Sequence, residues 1–205
     1  MTKTYHNLQD ALDNPLDVLI LEMSMNTRIS MGLHELESLP RVIGLFQNLE
    51  KLNLDGNQLT SLPKEIGQLQ KLRVLNLAGN QFTSLPKEIG QLQNLERLDL
   101  AGNQFTSLPK EIGQLQKLEA LNLDHNRFTI FPKEIRQQQS LKWLRLSGDQ
   151  LKTLPKEILL LQNLQVLRLY SNSFSLKEKQ KIQELLPNCE IDFESEGKSE
   201  SSLTE

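Results

Sequence analysis

Apolar residues recur along this chain in a short fixed pattern and not in long runs. From residue 49 onward, leucines fall at the first, fourth and sixth positions of successive segments, as in L-E-K-L-N-L. The alternating pair Leu52 and Leu54 places two side chains on one face of an extended segment, while their neighbours point to the other face. The pattern therefore predicts a series of short strands, each with one buried face.

Each predicted strand is followed by a polar turn and an L-P-K-E-I segment. Proline fixes φ near the helical value and is tolerated at the first helical position, so this segment predicts a short helical or 3₁₀ return. Its isoleucine, such as Ile66, is expected to be buried. The lysine and glutamate are expected to form a solvated outer face.

These elements repeat with a period of 23 residues. Five consecutive units, 49–71, 72–94, 95–117, 118–140 and 141–163, share the template L-x-x-L-x-L-x-x-N-x-[LF]-x-x-[LF]-P-K-E-I with one exception at the Asn position. A single strand cannot bury its apolar face alone, so successive units must stack in parallel register as a right-handed solenoid. The prolines that mark this period are Pro40, Pro63, Pro86, Pro109, Pro132 and Pro155.

An asparagine follows each strand and predicts a buried ladder, because its side chain can both donate to and accept from the backbone of adjacent turns. Asp149 takes this position in the unit 141–163. A carboxylate has no amide donors, so we expect local strain there, or compensation by a protonated or water-bridged carboxyl. The ladder residues are Asn57, Asn80, Asn103, Asn126 and Asn172.

The template resembles the leucine-rich repeat. The L-P-K-E-I units, the 23-residue period, the N-P-L-D-V opening at 14–18 and the L-L-P-N-C-E-I-D-F-E ending are similar to bacterial leucine-rich repeat proteins of the spirochaete type. The resemblance implies a recognition scaffold that contacts host or envelope proteins. It also implies an α/β solenoid in the form of an arc, with about seven parallel strands on the concave side, short helical or 3₁₀ turns on the convex side, and a cap at each end.

The sequence divides into a capping helix at 1–17, a leucine-rich repeat domain at 18–194 and a disordered acidic tail at 195–205. The domain begins with a degenerate repeat at 18–48, which carries extra residues expected to form a loop around 27–33. The five regular units follow, and then a C-terminal repeat and cap at 164–194. In that cap Ser175 and Glu178 form a capping box, which predicts a helix to about Leu186 and then a last short strand at 189–193.

Composition narrows the functional classes. The chain has 43 Leu among 205 residues but 10 aromatic residues, so stacked leucines are expected to build the core. The net charge of −3 argues against non-specific binding of nucleic acid. No apolar run approaches the length of about 18 residues that predicts a membrane span.

The predicted compartment is the cytoplasm, because the chain has one cysteine and no apolar signal segment. Secretion or surface exposure stays the alternative if an export signal was removed or another route is used.

The sequence offers no pattern typical of catalysis. We find no phosphate-binding loop, no H-E-x-x-H and no G-x-S-x-G. His6, His34 and His125 lie far apart without the spacing of metal ligands, and Cys189 is interpreted as a packed structural thiol. Related bacterial effectors add a catalytic ubiquitin-ligase module, for which no residues remain here. We therefore expect no enzymatic activity, no cofactor and no metal site.

Candidate binding residues lie at the outward strand positions, which vary while the convex positions repeat. This variation fits a binding face, but it would also arise if nothing constrained these positions. One cluster favours binding, because Trp, Tyr and Arg are enriched in interface hot spots. The alternative is that the tryptophan lies under Arg145 or Lys142 in a cation–π contact and binds nothing. The candidate residues are Trp143, Arg145, Arg168, Tyr170, Asp124, His125, Arg97 and Asp99.

These features predict a non-enzymatic scaffold that binds a protein ligand on its concave sheet, in a host–pathogen or envelope interaction. We expect a monomer that neither binds nucleic acid nor inserts into a membrane. A structural or self-associating protein is the alternative. A glycan or small-molecule binder ranks last, since few aromatic residues line the predicted arc.

Overall fold

The computed structural model describes residues 4–31 and 34–194, and within them one open, entirely parallel sheet follows the order of the chain. This confirms the predicted solenoid. The described sheet has two strands more than the seven or so expected, because the terminal caps contribute β1 at one edge and β9 at the other. The strands are β1 (Thr4–Tyr5), β2 (Ile20–Glu22), β3 (Lys51–Asn53), β4 (Val74–Asn76), β5 (Arg97–Asp99), β6 (Ala120–Asn122), β7 (Trp143–Arg145), β8 (Val166–Arg168) and β9 (Glu190–Asp192).

The strands pair in the register that the 23-residue period predicts. Leu52 of β3 aligns with Leu75 of β4, and the same alignment continues through Leu98 and Leu121. Each template position therefore stacks on its own equivalent, and the core is a column of buried side chains, mostly leucine. The phenylalanines at leucine positions are buried as predicted, and these are Phe82, Phe105, Phe128 and Phe131.

Short 3₁₀ turns form the convex side, each starting directly after a proline of the template. Gly90 is buried in one of these turns, where a methyl group would collide with the Gln114 side chain of the next unit. The small residue thus lets successive turns stack closely. The turns are Arg41–Leu45, Lys64–Gln68, Lys87–Gln91, Lys110–Gln114, Lys133–Gln137 and Lys156–Leu160.

The N-terminal cap is more elaborate than the single helix expected for 1–17. Its described part contains β1, the helix α1 (Leu8–Leu12) and a 3₁₀ turn (Pro15–Asp17). The expected loop around 27–33 is wrong in its first half, where helix α2 (Met25–Ser30) lies instead. The reason is an N-cap, since the Ser24 hydroxyl accepts a hydrogen bond from the Thr27 amide.

The C-terminal cap has the predicted helix and last strand, but the predicted capping box is only half formed, because the Glu178 carboxylate accepts from the Leu154 amide at 3.2 Å and pairs with Lys181. Helix α3 (Leu176–Leu185) begins at Ser175, whose hydroxyl accepts from the Glu178 amide at 3.2 Å. β9 then pairs with β8 and covers the last edge of the leucine stack. The tail expected to be disordered, 195–205, lies outside the described residues. No helix in the described ranges has the length and apolar character needed to cross a bilayer.

Candidate functional site

The concave face brings together side chains that are 23 residues apart in sequence. Strand pairing aligns Arg97 with Ala120 and Ala120 with Trp143, and it aligns Asp99 with Asn122 and Asn122 with Arg145. Because neighbouring strands lie about 4.8 Å apart, these columns form one continuous polar and aromatic surface. The predicted outward columns are therefore present in the structure.

Trp143 lies half-buried on β7. The Lys142 ammonium is 5.8 Å from the centroid of its ring, and it also pairs with Glu119 at 2.8 Å. This is the cation–π contact that the non-binding interpretation of Trp143 expects. Part of the indole ring is still exposed.

Arg145 is held between two buried side chains. Its Nε donates to Asp124 Oδ2 at 2.5 Å, and its Nη2 lies 2.9 Å from Tyr170 Oη. Asp124 Oδ1 accepts from the Ser147 amide at 2.7 Å. Burial lowers the pKa of Arg145, but the charge of Asp124 and the hydrogen bond to it outweigh this effect, and the pKa is raised. The guanidinium is therefore a fixed positive charge in a defined orientation.

Two of the candidate residues are buried and hold Arg145 in place, so they offer little surface of their own to a ligand. Asp124 is 2% exposed and Tyr170 is 8% exposed. The sequence placed both on the concave face, but it did not show that both would be buried and hydrogen-bonded to Arg145. Their contribution to the concave surface is therefore to orient the Arg145 side chain.

Arg168 is tied to the C-terminal cap. Its Nη2 lies 2.8 Å from Glu190 Oε1, and its Nη1 lies 3.8 Å from Asp192 Oδ2, both on β9. These two acidic partners were missed at the sequence level, because the register of β9 could not be read from the repeat. Arg168 therefore contributes to anchoring β9 as well as to the concave surface.

Arg97 and Asp99 extend the surface toward the N-terminal strands. Arg97 is exposed on β5, while Asp99 Oδ2 accepts from Asn122 Nδ2 at 3.1 Å. Burial raises the pKa of Asp99, and the negative charge of Asp124 adds to this effect. The two residues carry opposite charges but differ in exposure, so Arg97 is the more accessible of the pair.

His125 occupies a turn position with a left-handed backbone. Its φ is 54°, and the equivalent residue Ser171 has φ of 55°, whereas four other turns have glycine there. A methyl group at Gly148 would collide with Nδ1 of His125, so the exposed imidazole lies against that turn. The glycine column at 23-residue spacing could have revealed this strained position in the sequence.

The asparagine ladder beneath the surface is confirmed. Asn103 Oδ1 accepts from the Phe82 amide at 3.0 Å, and its Nδ2 donates to Leu77 O and Leu100 O, both at 3.0 Å. The bonds with Phe82 and Leu77 cross to the preceding unit, and the bond to Leu100 stays within the unit of Asn103. Each ladder asparagine thus joins two units.

Asp149 keeps only half of this pattern. Its Oδ1 accepts from the Phe128 amide at 2.9 Å, but its Oδ2 is buried without a hydrogen-bond partner in the described part of the chain. Burial raises its pKa to about 7, and the charge of Asp124 contributes. This favours the protonated carboxyl among the alternatives raised by the sequence.

The remaining chemical groups are isolated. His34 is exposed, and His6 is half-buried near the N-terminus. Burial raises the pKa of the Cys189 thiol to about 11, which disfavours the reactive thiolate. Within residues 4–31 and 34–194, no three side chains of His, Cys, Asp or Glu converge as metal ligands.

Three solved structures illustrate what this chain resembles. The PEPR1–AtPEP1 complex is 32% identical, with 78% of this chain and 22% of that chain covered and a TM-score of 0.65. The receptor kinase ectodomain GASSHO1/SCHENGEN3 of Arabidopsis thaliana, in complex with CASPARIAN STRIP INTEGRITY FACTOR 2, is 27% identical, with coverages of 94% and 22% and a TM-score of 0.67. An internalin of Listeria monocytogenes is 21% identical, with coverages of 93% and 52% and a TM-score of 0.72, and it shows the fold alone.

The chain matches between 22% and 52% of the length of these three proteins. A comparison with curated proteins gives no match. A leucine-rich repeat family also matches residues 48–69. The family described as a leucine-rich repeat region matches residues 64–189, which is more than half of the chain, and the protein therefore belongs to the leucine-rich repeat family.

Proposed function

We propose that this chain is a non-enzymatic recognition scaffold that binds a protein ligand on its concave sheet. The observation that carries the proposal is the guanidinium of Arg145, fixed by Asp124 and Tyr170 beside the partly exposed ring of Trp143. Arginine and tryptophan are enriched among the residues that dominate binding energy. A side chain that is already ordered loses less entropy on binding, so the arrangement favours a specific interface.

The dimensions of the face support the same proposal. Nine strands in one sheet have eight spacings, which give about 38 Å along the sheet. A standard protein interface buries about 800 Å² on each partner. The concave face is long enough to supply an interface of that class.

The finer parts of the proposal concern origin, partner and compartment. The L-P-K-E-I units support a bacterial protein of the spirochaete type, and this origin favours a ligand from the host or from the bacterial envelope. The Arabidopsis thaliana ectodomain is solved with CASPARIAN STRIP INTEGRITY FACTOR 2, which supports a protein as the class of ligand here. An envelope or host ligand requires export, whereas a cytoplasmic location requires an internal partner.

The proposal is tested by affinity capture with the purified chain and two surface variants. Trp143→Ala and Arg97→Ala remove accessible concave side chains, and Lys110→Ala, an exposed residue of the convex side, is the matched control. We expect a ligand that is retained by the wild type and by the control but lost from the concave variants. Equal capture by all four proteins would remove this surface from consideration. Arg168 is not substituted, because its loss would also loosen β9.

A second candidate function is self-association through the C-terminal convex side. Apolar side chains are exposed in the last two regular units at template positions that carry serine, glycine, arginine or glutamine in earlier units: Ile130, Leu159 and Leu160. An exposed apolar patch can mark an interaction surface. Light scattering over a concentration series separates this candidate from the first, since a monomer at every concentration argues against self-association.

A further inference from the structure

The buried Oδ2 of Asp149 occupies the place where the other ladder residues have an amide donor. In Asn103 the corresponding Nδ2 donates to the carbonyl oxygens 26 and 3 residues earlier, Leu77 O and Leu100 O. Asn126 and Asn172 repeat these offsets. By the same offsets, the Oδ2 of Asp149 is expected to face Leu123 O and Leu146 O, which accept from Asn126 and Asn172. An ionised carboxylate cannot bond to a carbonyl oxygen, but a protonated carboxyl can donate to one.

We propose that Asp149 is a proton switch for the concave surface around Arg145. When it is protonated, Asp149 restores one of the two donor bonds of the ladder at its turn. When it is ionised, the ladder is broken there, and a buried negative charge faces carbonyl oxygens and the carboxylate of Asp124. The control of ligand binding by this switch rests on the proposed function, whereas the switch itself does not.

A short path connects the ladder to the surface. Asp149 lies two residues after Ser147, whose amide donates to Asp124 at 2.7 Å, and Asp124 in turn holds Arg145. The intervening Gly148 has φ of 73° and donates its amide to Tyr170 O at 2.9 Å. A shift of this turn therefore moves the hydrogen bond that positions Asp124. Protonated Asp149 keeps the Arg145 site ordered, and ionisation loosens it.

The charged groups around Asp149 come from neighbouring turns. The preceding turn contributes Asp124 and also His125, whose ring lies against Gly148. The strand before Asp149 contributes Arg145, which is paired with Asp124. In the following turn, the ladder position is held by Asn172, which is neutral.

The balance of these groups favours protonation near neutral pH. Burial raises the pKa of Asp149 to about 7, and the charge of Asp124 acts in the same direction. The backbone amides of Phe128 and Asn126 favour the charged form and offset this only in part. Because the pKa is raised, the ordered form is the acidic one, and order is lost as the pH rises through about 7.

The single tryptophan provides a direct readout, since Trp143 lies on the strand that leads into this turn. Its fluorescence is measured from pH 5 to 9 in the wild type, Asp149→Asn and His125→Asn, all without ligand. Asparagine tolerates the positive φ of position 125, so this variant removes the imidazole without forcing the turn to refold. The Asp149→Asn variant restores the ladder donor and is expected to fold.

We expect one transition with a midpoint near pH 7 in the wild type. The same transition is expected in His125→Asn, and a flat profile in Asp149→Asn. A flat wild-type profile overturns the switch, and so does a transition that persists in Asp149→Asn or disappears in His125→Asn. Because no ligand is present, a failure here is distinguishable from a failure of the concave variants to change capture.

Discussion

Replacing Asn103 by alanine measures how much the ladder contributes to stability. The side chain is 6% exposed and contacts four backbone groups: it accepts from the Phe82 amide and shares its two amide hydrogens among Leu77 O, Leu100 O and Ala101 O. Each of these carbonyl oxygens keeps another donor, from Asn80, Asn126 and the Gly79 amide respectively. The Phe82 amide has no other acceptor within the described part of the chain.

The expected loss follows from this inventory. A buried amide left without a partner costs about 1–3 kcal/mol, and each of the two lost Nδ2–H bonds costs about 0.5–1 kcal/mol. The variant Asn103→Ala should therefore lower the free energy of unfolding by about 2–5 kcal/mol. Urea unfolding followed by circular dichroism and by Trp143 fluorescence measures the difference, and agreement between the two probes shows that the solenoid unfolds as one unit.

Asn94→Ala is the matched control. Asn94 also donates across a turn boundary, to Gln70 O at 2.8 Å, but it does so at the protein surface, where water can replace the bond. We expect this variant to lose less than about 1 kcal/mol. If Asn103→Ala were no more damaging than Asn94→Ala, the buried ladder would contribute no more than a surface hydrogen bond, and the reasoning would be refuted.

Three further substitutions test other parts of the structure. His125→Gly removes a non-glycine residue with φ of 54° and should raise stability by about 0.5–1 kcal/mol, seen as a higher Tm in a thermal scan. Asp149→Asn should add about 2 kcal/mol at pH 8 and little at pH 4, measured by urea unfolding at both values. The sign follows from a raised pKa: the wild type loses stability as the pH rises from about 4, the usual pKa of an aspartate, through about 7, and the neutral amide does not. Phe105→Ala empties a fully buried position and should lower the free energy of unfolding by about 3–5 kcal/mol in urea.

For each of these three substitutions, one result would contradict the expectation. A lower Tm for His125→Gly would mean that the packing of the imidazole against Gly148 outweighs the backbone strain. An equal gain for Asp149→Asn at both pH values would mean that the carboxyl does not titrate in this range. A loss below about 1 kcal/mol for Phe105→Ala would mean that the leucine stack can collapse into the vacated space.

The sequence predicted the solenoid well because every template position has one environment. Leu52 and Leu75 are buried for the same reason, and the 23-residue period alone aligns them. The ladder is predictable for the same reason, because Asn103 bonds to backbone groups that are equivalent, one unit later, to those that Asn80 bonds to. Because the units repeat, the pattern of one unit predicts the structure of every unit and the way in which they stack.

The parts that escaped prediction lie where repetition ends. β1 has two residues, Thr4 and Tyr5, which are too few to show an alternating pattern. The partners of Arg168 come from β9, whose register depends on packing of the cap. The hydrogen bond between Arg145 and Tyr170 depends on the direction that the Arg145 side chain takes across the strand, and strand spacing does not specify this direction. Terminal caps and side-chain orientation therefore limited the description of the candidate site.

On the convex side, a glutamine of one unit stacks over the glycine of the unit before it, and this contact repeats between the central units. One central unit can therefore take the place of another at such a contact. A chain without residues 72–94 would join Lys71 to Leu95, and Gln114 would take over the place of Gln91 above Gly67. The glutamine–glycine contact would be kept, β3 would pair with β5 instead of β4, and the sheet would shorten by one strand spacing, about 4.8 Å. Gain or loss of whole units can therefore change the length of the concave face without altering the turns that hold Arg145. The length of the binding face and the residues around Arg145 can thus evolve separately in this protein.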